Sequence, residues 1–241
     1  MKRTERKHLK ENELAHMAAT IRESIENRGS QAKTGLIGVA VVQALFIGYN
    51  LYRNSVESRA GRVLAEAMAI EDARVGAPDA PGGPSSGPSY PTEHDKNEAL
   101  RSKFKAVADG FPRTDAGIFA RYREAGALMA LGNPKEAAAV YQLVVDASGD
   151  KLYGQMARLG LAEAQVRAGE FDKAIEALKT LSTRSDGPLP IDGVLIELGR
   201  AYRDAGKPTD AQQTFDRIVK EFPDSQFVSD ARKELDAMKK G

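Results

Sequence analysis

The sequence predicts an all-α protein, a solenoid of helical hairpins that follows a single transmembrane helix. Three observations carry this expectation. A set of residue types recurs every 37 positions from residue 104 onward, nineteen residues at 34–52 lack any charge, and a Pro/Gly/Ser-rich stretch separates the two. Cysteine is absent, which excludes disulfides, thiol catalysis, thiolate metal sites and a lipoprotein anchor, and fits either side of a membrane.

Residues 1–33 form a charged tail with eight basic residues. Leu14, Met17, Ala18, Ile21 and Ile25 recur at helical spacing, so part of the tail is expected as a short amphipathic helix, lying on a surface, binding a partner or simply solvated. His8 and His16, eight residues apart in this charged setting, read as solvated side chains, not metal ligands.

The uncharged run TGLIGVAVVQALFIGYNLY at 34–52 has Gln43 and Asn50 as its only strongly polar members. As a helix it is roughly 28 Å long, close to the ~30 Å hydrocarbon thickness of a bilayer. The leader before it is too long and too acidic for a cleaved signal peptide, so the segment is expected to stay as an anchor. Within twenty residues of the span, Arg22, Arg28 and Lys33 balance Arg53, Arg59 and Arg62. The whole tail then favours its placement inside, with the remainder of the chain outside the cytoplasm.

Residues 53–75 are expected to continue as an amphipathic helix with Val56, Ala60, Val63, Leu64, Ala67 and Met68 on one face. The linker at 76–94 holds five prolines, Pro78, Pro81, Pro84, Pro88 and Pro91, with Gly and Ser among them, and is expected to lack regular structure. Residues 95–114 match the second half of a repeat, with Phe104 and Val107 before Phe111-Pro112. Either the 53–75 helix folds back to supply the missing first helix, or the linker is a tether.

Full repeats are expected at 115–151, 152–188 and 189–225, with a capping helix at 227–240, all within a repeat domain at 95–241. Gly132, Gly169 and Gly206 are 37 residues apart, as are Ala137, Ala174 and Ala211, and as are Phe104, Tyr141, Leu178 and Phe215. Gly closes a helix because it adopts the left-handed backbone at no steric cost. Ala lets two helices approach, and the large residue four positions later fills the space beside the contact. Asn133, Pro134 and Glu136 read as N-cap, first-turn proline and capping partner. In the last helix Val228, Ala231, Leu235 and Met238 share one side, as a terminal cap requires.

The order Leu198-Gly199, Tyr202, Gly206, Ala211, Phe215 and Pro223 resembles the tetratricopeptide repeat (TPR), which makes the expected fold a TPR-type helical-hairpin solenoid. The first copy departs with Ala125 and Leu128, the second with Gln165, and the three extra residues per unit are expected in loops near Ser148-Gly149 and Asp186-Gly187-Pro188. By this resemblance the first helices line a concave protein-binding surface. The residues placed to face it are Phe119, Tyr122 and Met129 in the first repeat, Leu159, Glu163, Val166 and Arg167 in the second, and Ile196, Arg200 and Arg203 in the third.

The layout of tail, span, linker and repeats, with the start Arg6-Lys7-His8-Leu9-Lys10, is similar to bacterial inner-membrane-anchored periplasmic TPR proteins related to the ancillary subunit of the Sec translocon. That resemblance implies a non-enzymatic role in export, with the Sec translocon, periplasmic chaperones or unfolded clients as partners. A structural organiser of a cell-envelope or division complex, or a receptor module facing the cytoplasm, would use the same surface. From residue 95 onward there are 23 charges of each sign, so no nucleic-acid partner is expected. No phosphate-binding loop, metal-spaced cluster or nucleophile with a base is present in the sequence, so no enzyme activity, cofactor, metal or small-molecule substrate is expected.

Overall fold

The computed structural model describes residues 29–76, 89–184 and 187–240. The tail helix, His8 and His16, most of the linker, and Asp186 of the last loop lie outside the described residues. By its internal contacts the chain divides into two units, residues 1–55 and 56–241.

Helix α1, Gly29–Met68, carries the uncharged run. In the first unit the described side chains of this helix are exposed apart from the half-buried Asn50, among them Ile37, Val42, Leu45 and Phe46. The helix is long and apolar enough to cross a membrane, and none of its most apolar stretch is buried.

In the second unit α1 stops at Met68, short of the expected residue 75. The cause is tertiary. Ile70 and Ala73 turn into the core, and Lys96 Nζ donates to the carbonyls of Glu71 at 2.6 Å and Ala73 at 2.9 Å, oxygens that a continuing helix would keep for itself. The chain then forms β1, Arg74–Val75, paired in parallel with β2, Ser89–Tyr90. The expected linker is therefore not free of regular structure, since β2 lies within it.

Seven hairpin helices and a cap follow: α2 Glu93–Gly110, α3 Asp115–Ala130, α4 Pro134–Ser148, α5 Leu152–Arg167, α6 Phe171–Ser182, α7 Ile191–Asp204, α8 Pro208–Glu221 and α9 Val228–Lys240. Antiparallel pairs α3/α4, α5/α6 and α7/α8 coincide with the periodic sequence blocks. The end of α1 serves α2 as a first helix, because Leu64, Ala67 and Ile70 join Leu100, Phe104, Val107 and Ala108 in one apolar cluster. Glu57 adds a polar tie, its Oε1 accepting the Ala116 N–H at the start of α3 at 3.2 Å, where a helix welcomes negative charge.

Each hairpin turns the same way. Gly132, Gly169 and Gly206 have φ of 77°, 81° and 69°. The next residue in each case, Asn133, Glu170 or Lys207, returns its N–H to the carbonyl of Leu128, Gln165 or Tyr202. This is the Schellman closure of a helix C-terminus. It also corrects the capping assignment: Asn133 makes no side-chain cap, its backbone N–H being committed to the preceding helix, and Glu136 pairs with Arg101 at 3.6 Å instead.

Thr114 caps α3 by accepting the Gly117 N–H at 2.9 Å while its hydroxyl donates to the Phe111 carbonyl, also at 2.9 Å. Gly117 has no alternative, since a Cβ there would lie 1.9 Å from the Phe111 oxygen.

The core is filled by large residues of the second helices seated on small residues of the first. Ala137, Ala174 and Ala211 are fully buried. The Phe215 ring presses on Gly199, where a Cβ would lie 2.3 Å from the ring, and Tyr141 presses on Gly160, where it would lie 2.6 Å away. Ala231 and Leu235 of α9 cover the last hairpin.

Truncating Phe215 to Ala is expected to cost about 3–5 kcal/mol, because the rigid backbone at Gly199 cannot close the gap. Gly206→Ala is expected to cost about 1 kcal/mol through backbone strain alone. Denaturant midpoints of the two variants in detergent should rank in that order, and equal midpoints would contradict the packing described.

Candidate protein-binding face

First helices α3, α5 and α7 stand side by side, while the second helices occupy the other layer. Of the ten residues the sequence singles out, two do not reach a surface. Ile196 is 1% exposed inside the cluster around Leu178 and Phe215, and Met129 is 8% exposed beside Leu128 and Tyr141. An apolar stripe wider than the groove sends such residues inward. Leu159 and Val166 are half-buried against the same core.

The aromatic members gather at one end. Phe119 meets Tyr153 with ring centroids 5.5 Å apart, and Tyr122 meets Tyr141 at 5.6 Å, both tilted. Between them lies Arg123, its guanidinium 5.7 Å from the Phe104 centroid and 5.9 Å from that of Phe119, and ion-paired with Glu71. The ring faces hold the cation by their negative quadrupole. Leu100, Phe104, Tyr122, Arg123, Gly126 and Tyr141 surround a cavity of about 260 Å³. Gly126 opens it: the positions 37 and 74 residues later hold Glu163 and Arg200.

The charged members follow along α5 and α7 as matched pairs. Glu163 and Arg167 meet at 2.8 Å, Glu197 and Arg200 at 2.8 Å, with Arg200 also 3.8 Å from Asp230. Arg203 turns to α9, meeting Glu234 at 2.6 Å, and to its neighbour Asp204 at 2.8 Å, contacts that hold its guanidinium firmly protonated. Burial raises the Tyr122 and Tyr141 hydroxyls above the ordinary phenol range, and the Glu163 charge adds to both. Burial likewise raises the Glu197 carboxyl against the opposing pull of Arg200, with Glu163 again contributing. Tyr122, Tyr141, Glu163, Arg167, Glu197 and Arg200 thus share one electrostatic neighbourhood.

Sequence reasoning missed Arg123 and Glu71 as members of this face, and Tyr141, a buried residue of α4, as a wall of the cavity behind it. Arg123 was legible as the residue four after Phe119, on the same helical face. Glu71 was not, because its partner lies 52 residues away.

A stack of helical hairpins whose first helices offer aromatic and charged side chains is a protein-interaction module. The chain belongs to the tetratricopeptide repeat-like domain family, which matches residues 30–239. Among solved structures, it is similar to the nearly identical TPR-like repeats of a candidate kinesin light chain from Podosopora anserina, in two crystal structures. Each shows 18% identity and a TM-score of 0.50 over 59% of this chain and 77% of that one. YrrB, a TPR protein with an unusual peptide-binding site, is 17% identical with a TM-score of 0.44, over 58% of this chain and 75% of that one. No curated protein matches the chain.

Because burial penalises the ionised Glu197, the contribution of this group to stability is fully present below the ordinary glutamate value of 4.5 and is lost as pH rises through its raised value in the fold. Glu197→Gln is therefore expected to be more stable than the parent at pH 7 and indistinguishable from it near pH 4. Thermal unfolding at the two pH values measures this, and a variant weaker at pH 7 would show that the pair with Arg200 outweighs desolvation.

Proposed function

We propose that the chain is a single-pass scaffold of the bacterial inner membrane, with residues 1–33 in the cytoplasm, a span at 34–52 and the repeats in the periplasm. There the α3/α5/α7 face receives segments of exported proteins and passes them between the Sec translocon and periplasmic chaperones. The observation that carries the reading is the adjacency of Tyr122, Glu163, Arg167 and Arg200 on neighbouring first helices. An apolar, unburied stretch of α1 beside a charged tail supports the anchor, since a soluble core helix would bury that stretch.

The face suits loosely held clients. Its arginines are already paired with carboxylates of the same chain, so a bound segment gains little from charge and is held by aromatic and apolar contact around Phe119 and Tyr122. Such contact discriminates weakly between sequences, which is what transient clients need.

A photo-crosslinking residue at Tyr122 or Arg203, activated in intact membranes, is expected to capture many proteins in small amounts. One stoichiometric partner would favour a structural organiser of an envelope complex. A reporter fused after Gly241 that is active only in the cytoplasm would overturn the periplasmic placement.

A further inference from the structure

In α1, Leu36, Ala40, Gln43, Ile47 and Asn50 follow one another at steps of four, three, four and three residues. That spacing places all five on one face of a helix that pairs with another at a shallow left-handed crossing. The same face carries Gln43 and Asn50, the strongly polar side chains of the run, seven residues apart. The Gln43 side chain makes no hydrogen bond among the described residues. Asn50 donates one N–H to the Phe46 carbonyl at 2.8 Å, which leaves its second N–H and its own oxygen unused.

In water these groups need nothing. In hydrocarbon they lose their solvent, and an amide without partners there is costly, so membrane helices bring such residues together. Gln and Asn side chains are self-complementary, each holding donors and an acceptor. Copies of a single-pass chain share one orientation, so two of them pair in parallel and in register. Gln43 then meets Gln43, and Asn50 meets Asn50, at matching depths.

We propose that the 34–52 segment is a self-association surface whose occupant is the same segment of a second copy, joined by Gln43 and Asn50 amide pairs and packed through Leu36, Ala40 and Ile47. This inference rests on the membrane reading above. Its consequence is bivalence: two repeat arrays held on one anchor meet a client at raised effective concentration.

The absence of cysteine makes the test clean, because each single-Cys variant of the full chain carries one thiol. Ala40→Cys and Ile47→Cys report on the proposed face, Val42→Cys and Leu45→Cys on the opposite one, and all four keep Gln43 and Asn50. After copper-phenanthroline oxidation of membranes, the first two are expected to give disulfide dimers and the last two little. Adding Gln43→Leu and Asn50→Leu to the Ile47→Cys chain is expected to lower its dimer yield on the order of tenfold.

Dimers that peak at Val42 or Leu45, equal yields at all four sites, or no dimers would overturn the proposal, as would a yield unmoved by the leucine substitutions. Crosslinking of the Ile47 thiol to a different protein would reassign the face to a foreign helix. Alkaline extraction separates the two levels. A chain released from the membrane refutes the anchor and this inference together, whereas a retained chain without face-specific dimers refutes the inference alone.

Discussion

One contact repeated with variation holds the array together: a large side chain from a second helix set down on the bare or nearly bare backbone of a first helix. Phe215 on Gly199 and Tyr141 on Gly160 are its tightest forms. Phe215 makes this contact inside its own hairpin and Tyr141 makes it with the first helix of the next, so that neighbouring units share their interiors and stability propagates between them. The ends of the stack need special arrangements for this reason. At one end α9 lays Ala231 and Leu235 on the last hairpin, and at the other the close of α1 with the turn after it lays Leu64, Ala67 and Ile70 on α2.

The packing fixes the electrostatics of the face. Once small residues set the first helices close together, their charged side chains must find partners nearby, and Glu163 with Arg167 and Glu197 with Arg200 do so within one helix. The result is a surface of many charges and little net field. Gly126 interrupts this row in the first hairpin, and the space it frees is walled by Tyr122, Tyr141 and Arg123. The aromatic end and the charged stretch are thus consequences of what occupies one repeat position.

Sequence legibility followed the range of the forces involved. The hairpin turns were readable to the residue, because a left-handed φ at Gly132, Gly169 and Gly206 is a local demand that few other residues meet. The stop of α1 at Met68 was not, because Lys96, the residue that takes up the carbonyls beyond it, belongs to another helix. Asn133 misled for a subtler reason: its residue type suits a side-chain cap, but its backbone was already bound by the preceding turn. Of the face, the helices were legible and the orientation of individual side chains less so. Ile196 and Met129 obey the same periodicity as exposed neighbours, and only the crossing of helices decides which look inward.

A clasp closes the entrance to the array. Just past α1, Lys96 Nζ holds the carbonyls of Glu71 and Ala73, and the strand beside them pairs Arg74 with Ser89 and Val75 with Tyr90. The first unit of the stack is therefore pinned twice at its outer edge, by an ammonium and by a strand pair, and so resists fraying where an end unit has a neighbour on one side alone.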